Sequence, residues 1–194
     1  YPYVECIKSM LSFCDEVVVV DGGSTDGTWE TLQAWSKDEP KLVVEQVVRD
    51  WNSKRHAVFD GLQKAEARKR CTKEFCWQMD ADEIAPLRTA EKIQTFMKSW
   101  PKLADLVSFP VIECWGSKEK VRVDVNPWKW RVSRNLPHIT HGIPVELRRT
   151  DSNDEMYSAP GTDGCDYVHS ETGERIPHAT FYTEPAHNAR IAAV

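Results

Sequence analysis

The sequence predicts an α/β protein in which a mostly parallel sheet flanked by helices is followed by a smaller antiparallel half. Three observations predict it. Val17 to Val20 are four consecutive valines with no polar alternation, the mark of a strand buried on both faces. From Val4 to Met79, strand-type and helix-type segments alternate, which builds right-handed βαβ units on a parallel sheet. From Leu106 onward, strand-type segments rich in tryptophan follow one another without intervening helices.

Each element has its own warrant. Val4, Ile7, Met10 and Leu11 recur at helical spacing and predict an opening helix. The strand Glu16 to Val20 ends in Asp21-Gly22-Gly23-Ser24-Thr25-Asp26-Gly27-Thr28. The glycine pair permits a tight turn, and Ser24 or Thr25 can cap a helix through Trp29 to Trp35. Leu42 to Val48 reads as the next strand and Ser53 to Arg70 as the next helix. Its basic stretch, Lys64 to Lys73, is interleaved with Glu66 and reads as a solvated face. Phe75, Trp77 and Met79 alternate as a short inner strand would. Ile93, Phe96, Met97 and Trp100 predict a further helix. Leu106 to Trp115, Val121 to Val125 and Trp128 to Val132 read as strands, Asp151 to Gly164 as a polar loop, and Glu184 to Val194 as a closing helix.

The 194 residues, 41% hydrophobic and 28% charged, suffice for one domain with a real core. We divide it into unequal halves, 1–103 and 104–194, and read the chain as a segment of a longer protein. A net charge of −5 gives no bulk attraction for nucleic acid or an anionic membrane. No apolar run reaches the length of a membrane span. Six cysteines without a C-x-x-C pair read as mostly buried free thiols in a reducing, cytoplasmic setting, with any peripheral membrane attachment left to other parts of the polypeptide.

Chemistry concentrates where the Phe75 strand runs into Asp80-Ala81-Asp82-Glu83. Side chains at i and i+2 of an extended segment share a face, so Asp80 and Asp82 can aim at one point beyond the strand end. Two close carboxylates repel unless a positive charge lies between them. Mn²⁺ or Mg²⁺ fits, because hard cations take oxygen ligands and share them with substrate phosphates. A solvated acidic turn is the plain alternative. Asp21, Asp50 and Asp80 each fall at or just past a predicted strand end, the edge where α/β sheets bind ligands.

Val17 to Thr28, taken with Gln78-Met79-Asp80-Ala81-Asp82-Glu83 and with Lys54-Arg55 opening the intervening helix, resembles the nucleotide-sugar-binding half of family 2 glycosyltransferases of the GT-A fold. The resemblance covers about residues 3–110 well and the remainder loosely. It implies a donor that is a nucleotide-diphosphate sugar, a glycan or other hydroxyl acceptor, and transfer with inversion. It further implies that Asp21 meets the base, that Asp50 and Arg55 lie near the base or diphosphate, that Asp80 lies near the ribose, and that Asp82 binds the metal. A surface ion pair accounts equally well for Asp50 and Arg55. The family has a further strand ahead of the opening helix, and this sequence does not contain it.

The second half carries weaker echoes. Arg131-Val132-Ser133-Arg134, leading to Glu146, resembles a family pattern that closes in His-Glu, with Val145 in the histidine's place. Glu146 is the candidate base for the acceptor hydroxyl, with Asp163 and Asp166 as rivals, and an ion pair with Arg148 or Arg149 as its plain account. Pro177 to Tyr182 resembles a segment that returns to the metal, which makes His178 a candidate ligand and His169 its rival; a strand histidine with a satisfied imidazole is the plain reading. Two other functions fit the same scaffold: a sugar-nucleotide-forming nucleotidyltransferase, and a non-catalytic module that binds a glycan or partner.

Overall fold

In a computed structural model of the chain, the structure describes residues 2–52, 56–100, 104–124, 128–137, 139–141, 167–169 and 178–180. Helix α1 (Tyr3–Leu11) leads into strand β1 (Val17–Asp21), helix α2 (Thr28–Asp38) and strand β2 (Leu42–Gln46). Helix α3 (His56–Arg70), strand β3 (Phe75–Trp77) and helix α4 (Leu87–Met97) follow. The remaining strands are β4 (Leu106–Pro110), β5 (Trp128–Arg134), β6 (Ile139–His141), β7 (Tyr167–His169) and β8 (His178–Thr180). The expected α/β class holds: a parallel sheet with helices, and an antiparallel sheet beside it.

β1 and β2 pair in parallel, from Val17 opposite Leu42 to Asp21 opposite Gln46. The helix between them buries Leu32, which packs with Ile7 of α1, Val17 and Leu42 into a first core bordered by Tyr3, Met10, Trp35 and Val44. Leu32, 2% exposed, and Trp35 three residues on share the apolar face that α2 turns to this core. The helix starts at Gly27, whose φ of 89° is cheap only for glycine, and the carboxylate that meets its first turn is that of Asp26, which accepts from the Thr28 N–H at 3.1 Å. Ser24 and Thr25 therefore do not act as the expected cap: the Ser24 hydroxyl is committed to Asp21 instead.

β3 departs from the expected parallel arrangement. It pairs antiparallel with β5, Phe75 opposite Arg134 and Trp77 opposite Val132, in a sheet of order β3-β5-β4-β8. Buried Ile93, Trp100, Val107, Phe109 and Val132, with Phe75 and Trp77 against them, form a second core. The strand expected over Leu106 to Trp115 stops at Pro110, and of that over Val121 to Val125 the described residues form a single bridge, Val121 with Cys114. Pro110 lacks the N–H that would extend the ladder, and Ile112, Trp115 and Val123 beyond it are exposed. Cys6 and Cys76 are buried and free as expected, whereas Cys114 is exposed. The loop Asp151 to Gly164 and the helix Glu184 to Val194 lie outside the described residues.

β1 and β3 start level, since Thr72, just before β3, donates its N–H and hydroxyl to Glu16, just before β1, at 2.9 Å each. They do not pair. Between them lies a cavity of about 730 Å³, walled by Val17 to Val20 on one side and Phe75 to Trp77 on the other, with Ile7 and Met10 of α1 against it. Among the described residues, no strand pairs with the edge that either β1 or β3 turns toward this cavity.

Candidate active site

The site is built at the ends of β1 and β3. Asp21 is the last residue of β1 and is 6% exposed. Its carboxylate accepts from the backbone N–H of Gly23 (2.9 Å) and Ser24 (3.0 Å), from the Ser24 hydroxyl, and from the Gln46 amide at 2.9 Å. Burial pushes its pKa up, but these bonds outweigh it and hold the carboxyl below its usual range. Asp21 thereby folds the glycine turn back on itself. Gly22 is needed there because a Cβ would sit 2.6 Å from the Trp51 ring, whose N–H donates to the Gly22 carbonyl at 2.9 Å. Trp51, half exposed beside the turn, is a site residue that the sequence reading missed.

Behind this turn, Gln63 of α3 ties the two parallel strands together. Its amide donates to the carbonyls of Asp21 (3.0 Å) and Val47 (3.1 Å), and its oxygen accepts from Arg49 at 3.1 Å. Sequence reasoning had no signal for it beyond a polar residue on the inward side of a helix.

The second acidic group stands where β3 ends. Asp80 is half-buried, Asp82 is exposed, and Glu83 is half-buried. Arg131 of β5, 6% exposed, reaches both Asp80 (3.2 Å) and Glu83. Glu83 also accepts from the Asp80 N–H at 3.1 Å, closing a turn around the guanidinium. Lys64 of α3 places its ammonium 2.8 Å from Asp80, and the Gln78 amide donates to the same oxygen at 3.1 Å. Lys64 therefore belongs to the site and not to a solvated helix face. On α1, burial and then the carboxylates of Glu83, Asp80 and Asp82 push the Cys6 thiol up to about 11, so it stays protonated and donates to the Asp80 carbonyl at 3.3 Å. Asp21, Gly22 and Ser24 from one strand end border the same cavity as Met79 and Ala81 from the other and Lys64 of α3.

The other expected residues stand on other segments or lie outside the described residues. Asp50 is exposed and accepts from the Asn52 N–H at 3.2 Å. Arg55, Glu146, Asp163 and Asp166 lie outside the described residues. His178 opens β8 opposite Leu106, in the row of Ser133 and Cys76, with two strands between β8 and β3. His169 ends β7, paired with Ile139. Among the described residues, no group of three or more His, Cys, Asp or Glu could hold a metal ion by itself. Both Asp80 oxygens are engaged, one by Lys64 and Gln78 and the other by Arg131, and Asp82 is the exposed carboxylate of the turn.

The family model described as Glycosyl transferase family 2 matches residues 4–144, a span that includes both strand ends and Arg131. The chain belongs to glycosyl transferase family 2. Among its relatives is the lipopolysaccharide core biosynthesis glycosyltransferase LpsC of Rhizobium meliloti (strain 1021), 34% identical over 79 residues. That match covers 41% of this chain and 26% of LpsC, so the likeness spans about a quarter of the relative. Among solved structures, the crystal structure of S. aureus TarS 1–349 superposes with a TM-score of 0.53 at 18% identity, covering 92% of this chain and 56% of that one. The TarS likeness speaks to the fold alone. The family 2 assignment agrees with the α/β architecture and with the acidic residues at two strand ends.

Proposed function

We propose that this family 2 chain transfers a sugar from a nucleotide-diphosphate sugar to an acceptor hydroxyl, with inversion. The observation that carries the reading is that the Asp21 turn and Met79 and Ala81, the neighbours of Asp80, border one cavity within the segment that matches the family. The Asp21 turn and the half-exposed Trp51 beside it form the wall against which the base rests. Asp80 orients the ribose, and Asp82 holds Mn²⁺ or Mg²⁺. The cation supplies positive charge to the leaving diphosphate. The protein's part is to fix these groups in advance, so that little reorganisation remains at the moment of transfer. All five described cysteines are free, which supports a reducing, cytoplasmic setting. Among the described residues no helix is long and apolar enough to cross a membrane.

A carboxylate must take the acceptor's proton on the face opposite the leaving group. Glu146 is our candidate, ahead of Asp163 and Asp166. Glu146→Gln keeps the shape and removes the base, so kcat should fall by roughly 10²–10⁴-fold with donor affinity unchanged. Near-normal turnover would transfer the role to Asp163 or Asp166.

The whole reading is tested by a thermal-shift panel of nucleoside diphosphates with and without Mn²⁺, since ligands that bind only the folded state raise its melting point. We expect one diphosphate to stabilise the chain in a Mn²⁺-dependent way. Incubation with the matching intact sugar nucleotide should then release nucleoside diphosphate. No release of nucleoside diphosphate, with nucleoside triphosphate and sugar 1-phosphate formed only when pyrophosphate is added, would point to nucleotidyl transfer, and no stabilisation by any diphosphate would point to a binding module.

A further inference from the structure

We propose that Cys71 and Cys76 are a redox-active dithiol, which a peroxide converts into a disulfide that staples the end of α3 to β3. The inference stands apart from the donor-site reading and needs no ligand at the strand ends.

Cys71 is the first residue beyond α3, and Cys76 is the middle residue of β3. Their side chains are hydrogen-bonded to each other. Bonds from neighbouring elements keep the two positions together. Arg68, three residues ahead of Cys71, donates to the Ser133 hydroxyl at 2.6 Å, and Ser133 is the β5 residue paired with Cys76. Just past β5, the Asn135 amide donates to the Cys71 carbonyl at 2.8 Å. Cys71 is half-buried and Cys76 is 7% exposed, and both border the cavity between β1 and β3. That cavity is the route for an oxidant as small as hydrogen peroxide.

The shared hydrogen bond assigns the roles, because the thiolate and not the thiol is the nucleophile. The bond from Cys71 holds Cys76 below the usual thiol range against the cost of burial, and the Arg68 guanidinium adds to it. The same bond, with burial, holds Cys71 above that range. While Cys76 is a thiol, the Cys71 S–H has the Ala67 carbonyl at 3.5 Å to donate to. Cys6 and Cys14 are pushed up to about 11 and about 12, chiefly by burial, and stay thiols.

The Cys76 thiolate attacks one oxygen of the peroxide, the O–O bond breaks, and the departing hydroxide takes a proton from solvent to become water. Cys76 is then a sulfenic acid. The Cys71 sulfur attacks the Cys76 sulfur, the S–O bond breaks, and the second hydroxide leaves as water with the Cys71 proton. Two sulfurs give up two electrons in all, and both peroxide oxygens end in water. The sulfurs close from hydrogen-bond contact to about 2 Å. Thiols of a reducing setting return the pair to its resting state through a mixed disulfide.

The test treats the folded chain, carrying Cys114→Ser and Cys165→Ser, with hydrogen peroxide, blocks the remaining thiols with iodoacetamide and digests with trypsin. Lys73 lies between the two cysteines, so the disulfide joins fragments 71–73 and 74–88 into one mass. We expect that species to dominate, to vanish on dithiothreitol, and to form at least about tenfold faster in the folded chain than in urea. Cys71→Ser should instead carry a sulfenic acid on Cys76, trapped by dimedone, and Cys76→Ser should leave Cys71 a thiol. Should either variant fail to fold, the cross-link in the parent decides alone. Fragments 71–73 and 74–88 recovered apart and alkylated, a cross-link to Cys6 or Cys14, or equal rates in folded chain and urea would each overturn the proposal.

Discussion

Asp21 carries four donated hydrogen bonds on one buried carboxylate, close to the number of lone-pair sites it has to offer. Its role as a turn organiser therefore does not depend on ligand. Asp21→Asn replaces one acceptor oxygen by a donor facing other donors, and should cost about 1–3 kcal/mol by urea denaturation. The cost is pH-dependent in a definite direction. A carboxyl held below its usual range stabilises the fold above that range and loses the contribution as pH falls through the lowered folded value. The gap between parent and Asp21→Asn should thus be widest near neutral pH and narrow in acid. Asp82 is the contrary case, exposed at the tip of its turn. Asp82→Ala should leave the melting temperature unchanged or slightly raised, by relief of repulsion, and abolish Mn²⁺-dependent diphosphate binding in calorimetry. Parent-like binding would remove Asp82 from the metal site. Asp21, Asp80 and Asp82 were legible because a strand that ends in an acid is a local pattern. Arg131 was legible only as part of a motif, and its partners were not, because Glu83 lies 48 residues away in sequence.

α3 is the element on which the two halves of the molecule meet. Gln63 fastens its middle to the carbonyls of β1 and of the segment after β2. Further along the helix, Arg68 donates to the carbonyl of Ile139 at 3.0 Å and to the Ser133 hydroxyl at 2.6 Å. Alternation of charge along Lys64 to Lys73 predicts a solvated face, yet Lys64 and Arg68 turn inward. The pattern shows the period of a helix and not what stands opposite it. Gln63→Leu fits the volume but removes the bonds to the Asp21 and Val47 carbonyls and to Arg49, at an expected cost of about 1–3 kcal/mol in urea denaturation. The denaturant slope should stay unchanged, since the same surface is exposed on unfolding. An unchanged midpoint would mean that water replaces the amide at no cost.

At the scale of the whole molecule the described residues form two cores, one under β1 and β2 and one between α4 and the β3-β5-β4 strands. The first was legible almost entirely, because consecutive valines and helical spacing are short-range signals and a parallel pair must be bridged by a helix. The second was legible as strands but not as pairings: Trp77 meets Val132 across 55 positions of sequence, and no local pattern encodes that register. The cavity between β1 and β3 has a consequence for solvent exchange. In β1 the Val17 N–H donates toward β2, to Lys41, and the Asp21 carbonyl accepts from Val47. Alternation along a strand then directs the amides of Val18 and Val20 away from β2, toward the cavity. In amide hydrogen exchange followed by NMR, Val18 and Val20 should exchange well ahead of Val17 and Val19, although all four are neighbours in one strand. Equal protection of the four would mean that the cavity edge of β1 is closed by a backbone partner, and a two-residue rhythm of fast and slow amides would mark that edge as open to water.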